Sequence, residues 1–493
     1  MNFSAALLLL VIAAPSAYLL VGVLQWWRRK REGRMPLPHW SWPIVGEVFA
    51  LFFVKVPEKT WLHRFDLYGS RTRLSLFGRE LFLTAEPEDV KRVFAADGKE
   101  TQAWLPDHIR LLFGKAIGTT VGAQHNVVRK ALFTLFSTSV MRNYYGTMKY
   151  FVEKHVREWA STPGPHTMID LLRLLTYETV YGCMINKEDA TNKELLETVH
   201  VWFKAFISLP FNFPGSPLSK AFEARAKLRL TLQDLLNRTR EERKNFTSEK
   251  QHTATVVLML LRLAEELEEV GGEDGFLIDD ITIIDNLINL LLAGHETVMT
   301  TLSSVMRILP EHPEVWRKIQ QEVRSVVPDG ADLTYDHIQN LPYCTAVVKE
   351  VLRYRPPVYV AFREAVQPMS FGPYTVLPGE TIVTSYQGVH RLAFTDSECF
   401  DPDRFYRESE AYSTKYKNDD RNSFMSFAAG IRSCAGMKFA FAEMVTFLAV
   451  LVRERLCWDL VPGQDLRLVH GGAAVMYKSG VIVNFYKEGE KAN

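Results

Sequence analysis

The sequence predicts a mainly helical protein with a smaller β region, preceded by an N-terminal transmembrane helix. Three observations support this fold class: residues 1–27 carry no charged side chain, helix-like patterns dominate from Pro87 onward, and strand-like segments are short and few. The chain has 493 residues, of which 47% are hydrophobic, so it can bury a sizeable core. Because no Gly/Ser-rich or Pro-rich linker divides its middle, we expect one large domain over residues 47–493.

The first 27 residues predict a membrane anchor. Phe3–Leu24 is almost wholly apolar and long enough for a bilayer, which takes ~20 residues. Trp26 and Trp27 follow at the position of an interfacial aromatic belt. A cleaved signal peptide is the alternative, but the segment lacks a basic start and exceeds the usual ~7–15 apolar residues.

The residues after the anchor predict its orientation. The basic side chains here are Arg28, Arg29, Lys30, Arg31 and Arg34. By the positive-inside rule they leave the rest of the chain in the cytosol. Residues 28–46 contain these basic residues and several prolines, so we expect a basic and proline-rich hinge. Proline interrupts helices, and the hinge should therefore contain no helix.

Regular elements of the large domain follow from periodicity and from residues that stop helices. Strands are predicted at Arg73–Phe77 and Leu81–Thr84, on either side of a turn at Gly78. The longest helix is predicted over Asp279–Leu309, starting at an aspartate and stopping before Pro310. Since Ile281–Leu292 is apolar on nearly every face, this helix should be buried on all sides.

The C-terminal part of the chain should mix short strands with one more apolar helix. Strands are expected at Tyr374–Val376 and Thr381–Thr384, a helix at Phe439–Leu451, and a terminal hairpin within Gly471–Phe485.

Charge and cysteine content narrow the class of protein. The net charge of +1 argues against a dedicated nucleic-acid surface. The five cysteines form no regular framework, which favours a reducing compartment over a set of disulfides.

The most informative stretch is residues 427–436, which reads F-x-x-G-x-R-x-C-x-G. Gly430 and Gly436 can adopt positive φ and let the backbone approach a flat group closely. Arg432 can pair with an anion beside the loop. Cys434 precedes an apolar helix starting at Met437, and a helix N-terminus stabilises a thiolate. A buried free cysteine in a glycine turn is the alternative.

A second candidate motif lies inside the long helix, where Ala293-Gly294-His295-Glu296-Thr297 breaks the apolar run. The two small residues would leave room beside the backbone. An acid and a hydroxyl next to each other could relay protons through a water molecule. The alternative is a helix bent at glycine in which the threonine hydroxyl bonds to an earlier carbonyl.

These stretches, with Glu350-x-x-Arg353 and Pro402-x-Arg404-Phe405, resemble the ordered motifs of the cytochrome P-450 superfamily, and the resemblance covers nearly all of the chain. It implies the cytochrome P-450 fold. It also implies heme b with Cys434 as the thiolate ligand of the iron, a ligand that favours O–O cleavage.

The resemblance also assigns roles to other residues. Glu296 and Thr297 would activate O₂, and Glu350, Arg353 and Arg404 would form a buried structural triad. The remaining cofactor-binding residues, which would flank the haem or pair with its propionates, are His125, Arg129, Arg363, Phe427, Gly430, Arg432 and Gly436. His125 stands where many members of the family have tryptophan, and surface charge is the alternative for Arg129 and Arg363.

Within the superfamily, Leu209–Gly215 and Trp104 resemble a clan of sterol, brassinosteroid, retinoate, triterpenoid and taxane hydroxylases. The implied function is a membrane-bound monooxygenase that hydroxylates a lipophilic sterol, triterpenoid or diterpenoid. The implied substrate pocket is apolar, and its candidate segments are Trp104–Ile117, Phe203–Phe213, Asn289–Ala293, Val358–Phe362 and Ala473–Met476.

The implied partners are O₂ and a separate NADPH-dependent flavoprotein reductase, because only 59 residues (493 − 434) follow Cys434. The implied location is the endoplasmic reticulum membrane, single-pass with a cytosolic catalytic domain, or else a plastid membrane. Two alternatives stay open: a peroxide-rearranging isomerase or lyase, and a haem-binding protein without catalytic activity.

Overall fold

In the computed structural model, the described residues are 57–490 except 77–78, 186, 188–189, 209, 245–254, 270, 272–275 and 471–473, together with residues 20, 23, 24, 27, 28 and 31. The predicted anchor (1–27) and hinge (28–46) lie almost entirely outside them. Among the residues described, no helix has both the length and the apolar character that a membrane span needs.

Helices make up most of the described chain. They are α1 Pro57–Tyr68, α2 Pro87–Ala95, α3 Asp107–Phe113, α4 Gly122–Leu135, α5 Thr138–Ser161, α6 Met168–Met184, α7 Lys193–Lys204, α8 Pro217–Arg243, α9 Val256–Glu269, α10 Asp280–Ile308, α11 Pro313–Val326, α12 Tyr335–Gln339, α13 Pro342–Tyr354, α14 Tyr386–Ala393, α15 Glu410–Ser413 and α16 Met437–Arg453.

The strands are shorter. They are β1 Arg71–Leu76, β2 Arg79–Thr84, β3 Thr101–Ala103, β4 Pro165–Thr167, β5 Val360–Ala365, β6 Met369–Phe371, β7 Tyr374–Val376, β8 Thr381–Ser385, β9 Leu456–Leu460, β10 Leu468–His470, β11 Val475–Tyr477 and β12 Ile482–Lys487. This composition confirms the predicted mainly helical class with a smaller β region.

The largest sheet of the described chain joins distant parts of the sequence. Its strand order is β1-β2-β8-β5-β3. β1 and β2 pair antiparallel, as predicted around position 78, whereas β2 and β8 run parallel, with Phe82 opposite Ile382. Strand β5 pairs antiparallel with both β8 and β3, so residues near 101 lie beside residues near 365.

The long central helix is confirmed to within one residue at each end. Asp279 caps α10 by accepting a hydrogen bond from the Thr282 N–H at 2.8 Å, and Pro310 lies in the 3₁₀ turn that follows. At ~1.5 Å per residue the helix is about 43 Å long. Apart from Ile281 in its first turn, which is exposed, the apolar segment up to Leu292 is buried or half-buried, as its pattern predicts.

The predicted terminal hairpin is wrong. β11 pairs with β10, whereas β12 pairs with β4 and β9 in another sheet. Gly480 and Val481, both with positive φ (73° and 59°), turn the chain between the two sheets. The carbonyls of these two residues accept hydrogen bonds from Ile169 and Met168 at the start of α6, which fixes the turn.

One buried acid lies in the helical core. Glu443 of α16 is fully buried, and neither of its carboxyl oxygens has a hydrogen-bond partner among the described residues. Burial raises the pKa of Glu443 well above its usual value, and the neighbouring Thr179 opposes this only in part. Above the ordinary carboxyl pKa, the folded protein therefore binds a proton that the unfolded chain has lost.

The variant Glu443→Gln tests this. Because the native state binds more protons than the unfolded state, wild-type stability should fall as pH rises above the ordinary carboxyl pKa toward the raised one. The amide does not titrate, so the thermal midpoint of the variant minus that of wild type should become more positive between pH 5 and pH 8. The exposed Glu158 supplies the control, Glu158→Gln. A difference that is the same at every pH would contradict the assignment.

Candidate functional site

The loop before α16 wraps around Cys434. The Cys434 N–H donates to the Phe427 carbonyl at 2.9 Å, and the Ser433 N–H donates to the Gly430 carbonyl at 3.1 Å. These bonds close a tight turn that includes the 3₁₀ segment Gly430–Arg432 and ends at Gly436, the residue capping α16. The thiol therefore lies three residues before the N-terminus of the helix, as the sequence predicts.

The two glycines of the loop have different roles. Gly430 has a φ of 64°, and a Cβ there would lie 2.6 Å from the Phe94 carbonyl oxygen. Gly436 has a φ of −84°, so the expectation of a positive φ is wrong there. A Cβ at Gly436 would meet no atom of the described residues within 4 Å, which leaves open space beside the backbone. The second non-helical turn instead comes from Ala428, with a φ of 56°.

Cys434 lines a recess. Its side chain is exposed to solvent, yet burial raises the pKa of its thiol, an effect that a hydrogen bond from the Gly436 backbone partly opposes. The thiol can be reached by solvent but is surrounded by many protein atoms, so it lies below the surrounding surface. The ring of Phe427 packs beside the loop, 5.3 Å from the centroid of Phe441. A metal ion bound at this thiol would favour its thiolate form.

Basic side chains from α4, from β5 and from the loop itself come together here. Arg129 of α4 donates to the Ser433 carbonyl and hydroxyl at 3.2 and 3.0 Å. Arg432 donates to the Ile117 carbonyl at 3.1 Å, and its Nε lies 3.4 Å from Asp97 Oδ1. The structure thus brings these predicted residues together.

Arg363 and His125 complete the group. The Arg363 Nε lies 2.8 Å from Asp97 Oδ2, so one buried carboxylate joins Arg363 and Arg432. His125 is 1% exposed, and its Nε2 has no hydrogen-bond partner among the described residues. Burial, followed by the charges of Arg432 and Arg129, lowers the pKa of His125 to about 4, so the ring is neutral. A buried neutral imidazole with a free nitrogen is suited to hydrogen-bonding an acidic ligand.

These observations fit a haem group. The recess offers one thiol that would bind the iron, Gly436 leaves space beside the backbone for a flat ring, and the arginines carry the charge that would match two propionates. Helix α10 packs against α16, which places the oxygen-activation candidate on a neighbouring element.

The Ala293–Thr297 segment is organised differently from the expectation. Ala293 is exposed and Thr297 half-buried, four residues apart on one side of an otherwise buried helix. Gly294 does not open this side, because a Cβ there would lie 2.9 Å from Val180 of α6. The small residue serves the close packing of α6 on α10. The Thr297 hydroxyl donates to the Ala293 carbonyl at 2.7 Å, the back-bonding that the sequence left open as an alternative.

Glu296 points away from Thr297. Its Oε1 lies 3.3 Å from His295 Nε2, 3.7 Å from Arg173 Nε and 3.8 Å from His200 Nδ1. Burial would raise the pKa of Glu296, but His200, His295 and Arg173 outweigh it and hold that pKa below its usual value. Among the described residues, no hydrogen bond joins this carboxylate to the threonine hydroxyl. His295, to which the sequence assigns no role, is thus a neighbour of the acid.

The Glu350 triad forms as expected. Arg353 binds Glu350 through two hydrogen bonds of 2.8 Å, and Arg404 Nε lies 3.5 Å from Glu350 Oε2. All three side chains are buried. Arg404 also donates to Asp419 at 2.6 Å, a partner that sequence reasoning missed.

A second missed residue connects this triad to Met425, two residues before the cysteine loop. His390 Nδ1 lies 3.0 Å from the Arg353 carbonyl, and its Nε2 accepts from the Met425 N–H at 2.9 Å. Burial lowers the pKa of His390 to about 3, which keeps the ring neutral as these two bonds require. A histidine near the end of a short helix carried no signal in the sequence pattern.

Two of the apolar segments predicted to line the pocket pack on each other. Phe113 lies 5.1 Å from Trp202 and 5.9 Å from Phe206, ring centroid to centroid, and the first two rings are buried. Trp104 and Phe362 are half-buried and lie 6.0 Å apart. Trp104 and Phe362 are therefore better placed to line a cavity than the Phe113 cluster is.

Comparisons with known proteins agree with this arrangement. The model of the family described as Cytochrome P450 matches residues 35–483. The chain is 26% identical to taxane 13-alpha-hydroxylase of Taxus cuspidata over 88% of its length and 89% of that protein. It is also 26% identical to beta-amyrin 28-monooxygenase of Vitis vinifera, with 86% and 87% covered. The solved structure of retinoic acid-bound cyanobacterial CYP120A1 superposes with a TM-score of 0.81 at 24% identity, over 92% of this chain and 99% of that one.

Proposed function

Since the chain belongs to the cytochrome P450 family and is a haem-thiolate monooxygenase, we propose that it hydroxylates a polycyclic terpenoid of the taxane or triterpenoid class, with Cys434 as the iron ligand. The observation that carries the proposal is the recessed Cys434 thiol with Arg129, Arg432, Arg363 and His125 gathered around its loop. The names of the relatives, taxane 13-alpha-hydroxylase and beta-amyrin 28-monooxygenase, support the substrate class.

The cofactor, once bound, supplies the reductive activation of O₂, with electrons from a separate reductase. Residues of this chain would hold it: Cys434 would bind the iron, and Arg129, Arg363, Arg432 and His125 would pair with its acidic groups. We propose that residues 1–27 anchor the enzyme in a membrane, because their apolar run and the basic residues that follow it at 28–34 have the pattern of an anchor.

Protons for the reaction would come through α10. The Thr297 hydroxyl donates to the Ala293 carbonyl, so its oxygen is free to accept a hydrogen bond from a water on the exposed side of the helix. Glu296 lies next to His200, whose side chain is 30% exposed and reaches the solvent side. We therefore assign Glu296 to proton uptake from solvent and Thr297 to holding the water that receives the proton.

The test compares Thr297→Ala with Thr300→Ala in reconstitution with an NADPH-dependent reductase and a panel of taxanes, triterpenes and sterols. Thr300 is a matched control because it lies on the same helix and makes the same kind of back-bond, to the Glu296 carbonyl at 2.9 Å, but is buried. Removing a proton-transfer group costs ~10²–10⁴ in rate. Thr297→Ala should form hydroxylated product that much more slowly while still consuming NADPH and releasing peroxide.

Substrate affinity should change little in Thr297→Ala, and Thr300→Ala should behave as wild type. If the wild-type protein rearranges hydroperoxides without reductase, and Thr297→Ala does so equally well, the isomerase alternative is correct. If a sterol is the preferred substrate, the proposed hydroxylation is correct but the proposed taxane or triterpenoid substrate class is wrong.

A further inference from the structure

The carboxylate of Asp97 lies among the basic side chains near the cysteine loop, which are Arg129, Arg363, Arg432 and His125. Its side chain is 1% exposed, and Asp97 lies two residues after Ala95, the last residue of α2. One oxygen is 2.8 Å from Arg363 Nε and the other is 3.4 Å from Arg432 Nε. The two arginines come from β5 and from the cysteine loop, so Asp97 joins three separate parts of the chain.

The local charges can be counted. Arg129, Arg363 and Arg432 bring three positive charges to the loop, and Asp97 brings one negative charge. His125 is neutral because burial lowers its pKa. The group therefore carries a net charge of +2 (3 − 1), and the two propionates of a haem carry −2.

Besides setting the net charge, Asp97 reduces the repulsion between the arginines. Three guanidinium groups in one partly buried place repel one another, and a carboxylate between two of them lowers the electrostatic energy of that repulsion. Other contacts fix the direction of the two arginines. Arg363 donates to the Phe362 carbonyl at 2.9 Å and lies 4.8 Å from the centre of the Phe94 ring. Arg432 donates to the Ile117 carbonyl at 3.1 Å. Each guanidinium is thus fixed before any ligand arrives.

We propose that Asp97 is a positioning residue for the haem propionates, which holds Arg363 and Arg432 side by side and sets the charge of their site to match the cofactor. This proposal rests on the proposed haem site at Cys434. Charge near a haem changes the relative stability of its ferric and ferrous states, because the two states differ by one charge. Asp97 should therefore lower the reduction potential of the iron.

The experiment measures the reduction potential of purified holoprotein by spectroelectrochemistry for wild type, Asp97→Asn and Asp97→Glu. Asp97→Asn removes one negative charge and should raise the potential, while the reduced carbon monoxide complex keeps its thiolate spectrum. Asp97→Glu keeps the charge and should stay close to wild type. The matched control is Asp89→Asn, since Asp89 of α2 is likewise a buried acid paired with an arginine, Arg71, at 2.6 Å, although it lies eight residues away from Asp97.

A merely structural role predicts another pattern, in which Asp97→Asn and Asp89→Asn both lower thermal stability and neither changes the potential. That result, with haem bound and the thiolate spectrum intact, would overturn the proposal. A wild-type protein without a thiolate spectrum would overturn the proposed haem site instead, so the two failures are distinguishable.

A double variant covers the case in which Asp97→Asn does not retain haem. Asp97→Asn/Arg363→Gln restores the net charge of +2 and should bind haem with a potential near that of wild type. If both the single and the double variant fail to bind haem while Asp89→Asn binds it, charge matching is excluded as the role of Asp97.

Discussion

The variant Cys434→Ser is expected to lose the red-shifted Soret band that a reduced, carbon monoxide-bound haem-thiolate protein shows. A serine hydroxyl stays protonated where a thiol bound to a metal does not, so the oxygen cannot donate the electron density that shifts the band. Monooxygenase activity should fall to background for the same reason. The measurement is the carbon monoxide difference spectrum together with product formation from NADPH and reductase.

The control for this variant is Cys457→Ser, because Cys457 is partly exposed and lies on β9, outside the loop. It should keep both the band and the activity. A Cys434→Ser protein that retained the band would show that another thiol is the ligand, and the remaining candidates would be Cys183, Cys344, Cys399 and Cys457.

The second large effect should come from the buried triad. Glu350→Ala removes the acid that binds Arg353 and lies beside Arg404, and it also removes the acceptor of the Asp401 N–H at 2.9 Å. Breaking a buried ion pair from one side costs about 3–5 kcal/mol, because the partner charge stays buried and unpaired. Domains have a free energy of unfolding of only about 5–15 kcal/mol, so this cost is a large part of the total and the yield of holoprotein should fall.

The measurements for Glu350→Ala are the yield of holoprotein and the midpoint of urea unfolding. Asp107→Ala is the control, since Asp107 pairs with Arg110 through an exposed ion pair at 3.2 Å. Exposed pairs contribute about 0–1 kcal/mol, so this variant should unfold near the wild-type midpoint. Equal midpoints for the two variants would mean that the triad does not hold the fold.

The sequence predicts local features well because their signals are local. The ends of α10 follow from an aspartate that caps and a proline that cannot continue a helix. The loop at Cys434 follows from five residues within ten positions. The Glu350–Arg353 pair follows from helical spacing, three residues apart.

Long-range features are not accessible in this way. Asp97 contacts Arg432, which is 335 residues away in the sequence, and no sequence pattern near either residue predicts the contact. His390 likewise joins two segments far apart in the chain. The terminal hairpin is wrong because Gly480 and Val481 send the chain into a different sheet, which alternation of apolar residues cannot reveal.

The direction of Glu296 is a different kind of miss. Consecutive residues on an α-helix differ by about 100° around the axis, since a turn has 3.6 residues. Glu296 and Thr297 therefore point in different directions from α10, and Glu296 contacts Arg173 and His200 on its own side. Helical geometry alone predicts that the two side chains point in different directions. The prediction that they act side by side came from the resemblance to a motif in which an acid and a threonine are adjacent in sequence.

The wide separation in sequence of the cofactor-holding residues has a consequence for biosynthesis. Asp97, His125 and Arg129 are made early, whereas Arg363, Arg432 and Cys434 come from the last third of the chain, and strand β2 must wait for its parallel partner β8. At ~5–20 residues per second, the 335 residues between Asp97 and Arg432 take the ribosome roughly 17–67 s. During that time the α5–α6 helix pair can form, but the propionate-binding side chains cannot meet. Insertion of the cofactor is therefore an event of the nearly finished chain. A premature stop just before Arg432 would release a protein that contains the residues of α1–α15 but lacks Arg432, Cys434 and α16.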